Sequence, residues 1–241
     1  MVFAPPAVSG EDAAAALGLS RPRALVVLNG GTTELSPELE SALRRTLGDG
    51  LARVAIEKEL TVVTGGTDAG VFALFGEALD GRTAPCVGVA PAGLVSWRGR
   101  EPPSGRGRGE EEPVPLESHH SHFLLVEGDE WGVETDAMLS LTDALSRDCR
   151  SLAVLAGGGA GARKEVLAHL RAEREVIVLD GTGRFADRLA EATTGRGEPE
   201  EETAEMVASG LITVIGAAEA PSTLAGLIRR RLVAGSAEAG R

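Results

Sequence analysis

The residues Gly157-Gly158-Gly159-Ala160-Gly161-Ala162-Arg163-Lys164-Glu165 combine groups suited to holding an anion. An apolar run at 152–155 precedes them, and Val166, Leu167 and Leu170 follow at helical spacing, so the stretch reads as strand, glycine loop and helix. Such a turn brings unpaired backbone N–H groups to one point. Glycine lets a ligand approach them closely, and the helix dipole adds positive potential. A phosphate is the natural occupant, and the alternative is an ordinary tight turn. Glu165 falls in the first helical turn, where a carboxylate either answers the dipole or serves as a general acid or base.

Three further turns have the same character. Gly30-Gly31 follows the apolar run 24–28, and Thr64-Gly65-Gly66-Thr67 follows 60–63. Asp180-Gly181-Thr182-Gly183-Arg184 follows 176–179. If a nucleotide binds, the amides around Gly158 to Ala162 hold a phosphate, with Gly65, Gly66 and Thr67 beside them. The Thr67 hydroxyl donates to a phosphate or caps its own helix. Asp180 accepts ribose hydroxyls, Gly181, Thr182 and Gly183 clasp a second phosphate, and Arg184 supplies a charge-assisted contact. Ala90 and Pro91 close another strand at the same edge, and His122 at a strand start is a candidate polar pocket residue. Zinc takes three or four ligands, and beside His119, His120 and His122 only Glu117 is near, so no metal is expected.

These turns need a scaffold that places them together. Apolar strands of four to six residues alternate with helices of ten or more, which implies an α/β domain with a doubly wound parallel sheet covered on both faces. In such sheets ligands bind beyond the carboxyl ends of the strands, where strand order reverses. The periodicity predicts one long helix from Pro37 to about Lys58, helices over 134–146 and 184–192, and a closing unit with a strand at 211–215. Residues 1–23 read as a lead-in, poorly ordered or a short helix, before one domain over 24–232. The stretch 94–117 reads as a mobile loop rich in Arg, Gly and Pro, and 233–241 as a tail.

The 241 residues carry 43% hydrophobic side chains but only 3% aromatics and no Tyr, so the core must be built from Ala, Val, Leu and Ile. A net charge of -12 argues against nucleic acid or an anionic membrane as partner, so an anionic ligand needs local amides and arginines. Cys86 and Cys149 fall inside predicted elements, which suggests reduced thiols. With no basic leader and no apolar run near the ~20 residues that span a bilayer, the expectation is a cytoplasmic protein.

Several segments, taken in order, carry a resemblance: Leu28-Asn29-Gly30-Gly31, Gly50-Leu51-Ala52, Val63-Thr64-Gly65-Gly66-Thr67-Asp68-Ala69-Gly70-Val71 and Gly76-Glu77-Ala78-Leu79. They continue with Gly88-Val89-Ala90-Pro91-Ala92-Gly93, Ser121-His122-Phe123-Leu124-Leu125-Val126 and Leu179-Asp180-Gly181-Thr182-Gly183-Arg184-Phe185-Ala186-Asp187. The series resembles the cytosolic N-terminal homology region of melastatin-type TRPM channels, which has a SLOG fold. The resemblance implies a Rossmann-like domain, a ligand of the ADP-ribose class with no required cofactor, and a homodimer. The same superfamily holds the Lonely Guy and lysine decarboxylase-like phosphoribohydrolases, marked by Pro-Gly-Gly-x-Gly-Thr-x-x-Glu. Here Gly157 stands for the Pro and Ala162 for the Thr, while Glu165 matches the Glu. The Arg-Lys pair those enzymes carry on the preceding helix is replaced by Asp143, Arg147 and Asp148. By resemblance the phosphate cradle is kept and the hydrolase machinery is incomplete.

Three functions therefore stand: a nucleotide-binding, sensor-like protein; an N-glycosidase using Glu165 with Asp136 or Asp143; and a nicotinamide-dependent oxidoreductase. The last rests on Gly157-x-Gly159-x-x-Ala162 with Asp180 at the next strand end, and too few strands follow for a full dinucleotide pair.

Overall fold

The computed structural model describes residues 1–31, 35–79, 84–99, 112–197, 199–217, 219 and 221–233. In chain order these form β1 (Val2–Ala4), α1 (Gly10–Leu17), β2 (Ala24–Gly30), α2 (Pro37–Arg45), α3 (Arg53–Lys58), β3 (Thr61–Thr64) and α4 (Gly70–Leu79). Then come β4 (Cys86–Pro91), β5 (Val95–Ser96), β6 (Val114–Pro115), β7 (His122–Val126), α5 (Thr135–Ser146), β8 (Arg150–Ala156) and α6 (Ala160–Arg171). The last elements are β9 (Glu175–Asp180), α7 (Arg184–Thr193), α8 (Glu201–Ala208), β10 (Ile212–Gly216) and α9 (Pro221–Ile228).

Among the described residues, eight strands make one sheet in the order β1-β7-β4-β3-β2-β8-β9-β10, every neighbour pair parallel. From β2 the chain winds outward through β3, β4 and β7, then returns to lay β8 against the other side of β2. Strand order thus reverses between β2 and β8, which pair in register from Ala24↔Arg150 to Gly30↔Ala156. This is the doubly wound, Rossmann-like α/β architecture the strand–helix alternation predicts. Alternation along each strand divides the core. Val26, Leu28, Val62, Leu152 and Val154 face one layer, packed with residues of α2, α4 and α9. Leu25, Val27, Val63, Val87, Ala153 and Leu155 face the other, packed with α1, α5, α6 and α7.

Three segments differ from their sequence reading. Residues 1–23 are more than a lead-in. Strand β1 extends the sheet edge through Val2↔Leu124, Phe3↔Leu125 and Ala4↔Val126, and α1 packs beside β1 and β7. A three-residue strand is too short for periodicity to reveal. The helix expected over Pro37 to Lys58 is continuous in space but π-helical across Thr46–Ala52. Gly50 there meets Leu224 of α9 closely, and the Thr46 hydroxyl donates to the Ala217 carbonyl at 3.1 Å, so the wider turn accommodates α9. Of the expected loop 94–117, β5 and β6 pair in parallel, while 100–111, with Arg100, Arg106 and Arg108, lie outside the described residues. So does the tail from 234. No helix among the described residues is long and apolar enough to cross a membrane.

Candidate functional site

A cleft of about 360 Å³ opens at the carboxyl edge where strand order reverses. Its floor is apolar, from Leu28, Phe72, Val89 and Met138. Polar groups line the rest. Gly30 and Gly31 follow β2, Gly65 and Thr67 follow β3, and Gly159, Ala160, Gly161, Ala162 and Glu165 come from the turn into α6. Trp131, Gly132 and Glu134 come from the turn before α5, and Arg184 from the start of α7. This is the size of an ordinary small-molecule site.

The anion-binding corner is the start of α6. No side chain caps this helix, and its first carbonyl partner is taken by Arg163, whose N–H donates to the Gly159 carbonyl at 3.1 Å. Among the described residues no acceptor meets the N–H groups of Ala160, Gly161 and Ala162. Gly158 holds the turn open with φ +88, and a Cβ there would lie 2.6 Å from the Ala162 Cβ. Alanine at this position combines left-handed backbone with overlap on α6, so Gly158→Ala should cost about 1–2 kcal/mol in thermal or chemical denaturation. Arg184 has a left-handed backbone (φ 56), and its Nη2 lies 3.3 Å from where a Gly159 Cβ would be. Gly159, Ala160 and Arg184 also line a second hollow of about 260 Å³ with Arg163 and Arg188. Arginines therefore gather locally around the amides in a chain whose overall charge is negative.

The cleft also carries two carboxyls, one of them a turn further along α6. Glu165 and Glu134 both line the cleft. Burial pushes Glu165 up to about 7, against the hydrogen bond it accepts from the Asn29 Nδ2 at 2.6 Å. The Glu134 charge raises it further and Lys164 lowers it. Glu134 is itself raised by burial, although its Oε2 accepts the Gly132 N–H at 2.8 Å. Lys164 is paired with Asp136 at 2.8 Å. Asn29 is 1% exposed, and its Oδ1 has no partner among the described residues.

Thr67 is also buried, lines the cleft and leaves its hydroxyl without a partner among the described residues. Its loop is held from behind. The Asp68 N–H donates to the Pro115 carbonyl, and the Glu117 N–H to the Gly66 carbonyl. The buried Glu117 carboxylate meets His119 Nδ1 and His120 Nδ1, each at 2.6 Å. His120 Nε2 meets the Thr64 hydroxyl at 2.7 Å, and that hydroxyl accepts the Gly66 N–H at 2.9 Å. Burial opposes the charge on Glu117, but hydrogen bonds from His120 and His119 outweigh it and hold the carboxyl below its usual range.

Several sequence candidates are therefore placed differently. Thr64 and the Gly66 amide serve this internal relay and do not line the cleft. His122 stands at the amino end of β7, bonded through Nδ1 to Ser121, away from the carboxyl edge; His120, not His122, is the histidine that reaches a cleft loop. Ala90 and Pro91 are buried in ladder pairs with Leu125 and Val126. Gly181, Thr182 and Gly183 do not offer a phosphate clasp. The Gly181 and Gly183 N–H groups both donate to Asp187 Oδ1 at 2.9 Å. Thr182 ties the neighbouring loop, accepting the Gly157 N–H at 2.8 Å and donating to the Leu179 carbonyl at 2.6 Å. Asp180 pairs with Arg196 at 3.0 Å and is not a cleft residue, which removes the acidic group the oxidoreductase fingerprint requires. Asp143 is bound to Arg174, which also bonds Ser151 at the amino end of β8, so it sits at the far edge. Asn29, Trp131 and Glu134 escaped sequence reasoning. The one usable signal was Trp131 itself, an aromatic beyond a strand's carboxyl end in a chain nearly devoid of them.

Comparison with known proteins identifies the family and the fold. Residues 23–225 match the family model described as SLOG in TRPM, prokaryote. Mouse transient receptor potential cation channel subfamily M member 2 is 26% identical over 208 residues, covering 73% of this chain and 14% of the channel. Human subfamily M member 7 is 27% identical over 200 residues, covering 70% and 10%. The chain thus spans a small part of the length of these relatives. Among solved structures, a molybdenum cofactor binding protein from Rippkaea orientalis shares the fold, with a TM-score of 0.52 at 13% identity, covering 88% of this chain and 97% of that one. The family match spans the three glycine turns of the cleft and most of the sheet, and the chain belongs to the SLOG family found in TRPM proteins, in its prokaryotic form.

Proposed function

We propose that this protein binds a phosphorylated nucleotide, ADP-ribose or a related NAD-derived nucleotide, in the cleft between β2 and β8. The observation that carries the reading is the open start of α6, whose amides face a cleft flanked by Arg184. A phosphate there meets amides, dipole and a guanidinium together. Asn29 and Glu165 stand where ribose hydroxyls would complete their hydrogen bonds, and Trp131, half exposed at the rim, offers a face to a planar base. The family supports the same reading. Isothermal titration with ADP-ribose, NAD and AMP tests it; absence of binding to all of them at millimolar concentration rejects it.

Thr67 gives a sharper check. Its buried hydroxyl has no partner to lose in the empty protein, so Thr67→Val should leave the melting temperature unchanged or slightly raised. If the hydroxyl donates to the ligand phosphate, the same change weakens nucleotide binding about tenfold, within the usual worth of a hydrogen bond to a charged group. Unchanged affinity would remove Thr67 from the site.

A second reading, N-glycosidic cleavage, is favoured by one observation. Glu165 lines the cleft together with Glu134, and burial pushes it up to about 7, where a carboxyl can give and take a proton at neutral pH. Incubation with AMP and NAD followed by chromatography for free base decides it, and no release means binding without turnover.

A further inference from the structure

The cleft is lined by groups of both signs. The free amides of α6 and Arg184 line it together with the carboxyls of Glu134, from the turn before α5, and of Glu165, one turn along α6 from Ala162. Burial pushes both carboxyls toward the neutral form, so a cation placed against them favours their ionised form. Lys164 is the cation that acts on both carboxylates, and it already serves Asp136, which leaves three carboxylates against one ammonium. The loop that delivers Trp131 adds exposed Glu127, Asp129 and Glu130. Trp131 lines the same cleft as Glu134 and Glu165 and is 49% exposed. An indole face with carboxylates around it is the surrounding that receives a cationic planar or quaternary group. A neutral ring or a bare sugar gives these carboxyls no charge partner, and a second anionic group would be repelled.

Resting on the nucleotide reading above, we propose that the preferred ligand carries a fixed positive charge on a planar ring joined to its phosphorylated ribose, that is, a pyridinium nucleotide, with the ring against Trp131 and the Glu134–Glu165 wall and the phosphate at the start of α6. Selectivity then comes from charge at the ring. The oxidised pyridinium form is recognised, and the reduced dihydropyridine form, of nearly the same shape but neutral, is not.

The test compares nicotinamide mononucleotide in its oxidised and reduced forms, with ribose 5-phosphate, by isothermal titration on the full chain at pH 7. The oxidised form is expected to bind about tenfold more tightly than either of the others, the scale of a desolvated cation–π contact with carboxylate support. In Glu134→Gln and in Trp131→Leu that preference should shrink to about twofold or less, while ribose 5-phosphate affinity stays within twofold of wild type. Trp131 is a surface side chain, so its replacement keeps the test valid even where Glu134→Gln perturbs the fold. Equal affinity for the oxidised and reduced forms overturns this proposal and leaves the nucleotide reading standing. If these ligands and ADP-ribose all fail to bind, the nucleotide reading itself falls.

Discussion

Replacing Glu165 by glutamine should stabilise the empty protein, and only above mildly acidic pH. The carboxyl titrates near 4.5 in an unfolded chain and near 7 in the fold, because burial opposes its charge. Between those values the folded state holds more protons than the unfolded state, so stability falls as pH rises through that window and is lowest above about 7. Glutamine keeps an oxygen for the Asn29 Nδ2 and never ionises. The variant should match wild type near pH 4 and exceed it by about 2 kcal/mol at pH 8, a figure lowered for solvent screening at the cleft mouth. Urea denaturation at the two pH values measures this. The same substitution should weaken nucleotide binding, since a group that costs stability when the site is empty is expected where the site is built for a ligand. An equal stability difference at both pH values would show that the Glu165 charge is not what the fold resists.

Gly76→Ala should do the reverse and destabilise the protein strongly. In an exposed helix this change adds about 1 kcal/mol of stability. Here a Cβ would lie 2.0 Å from the Glu117 carboxylate, which is 2% exposed and fixed by His119 and His120. The carboxylate must move, and disrupting a buried charge cluster costs about 3–5 kcal/mol. The net loss should be about 2–4 kcal/mol, read as a lower denaturation midpoint. Because Glu117 anchors the Gly65–Thr67 loop through the Gly66 carbonyl and the His120–Thr64 relay, nucleotide affinity should fall as well. A variant as stable as wild type would mean that Glu117 can swing away freely, and that the relay does not hold the loop.

The doubly wound sheet was legible because its central strands are apolar on both faces and lead into glycine loops. The loops after β2 and β8 could be placed on one edge from that alone. The start of α6 was legible for the same reason, since a glycine run before a helix leaves few ways to satisfy its amides. What failed were assignments that depend on where a polar side chain turns. Asp187 captures the Gly181 and Gly183 amides from a full turn into α7, and nothing in the local sequence separates that from a free clasp. Asp180 is claimed by Arg196, sixteen residues on. Glu117 binds His119 at the surface and draws His120 inward over a tight turn, which the local sequence does not show. Asn29 and Glu165 meet across 136 positions of chain, a contact set by the strand order and invisible to spacing.

The central claim is that the start of α6 is the phosphate site, and a crystal structure of the protein with ADP-ribose tests it most directly. A diphosphate oxygen should lie within hydrogen-bonding distance of the N–H groups of Ala160, Gly161 and Ala162, with Arg184 beside it and the Thr67 hydroxyl turned toward the ligand. A diphosphate seated instead on the Gly181–Gly183 turn, or anywhere outside the cleft between β2 and β8, would contradict the account.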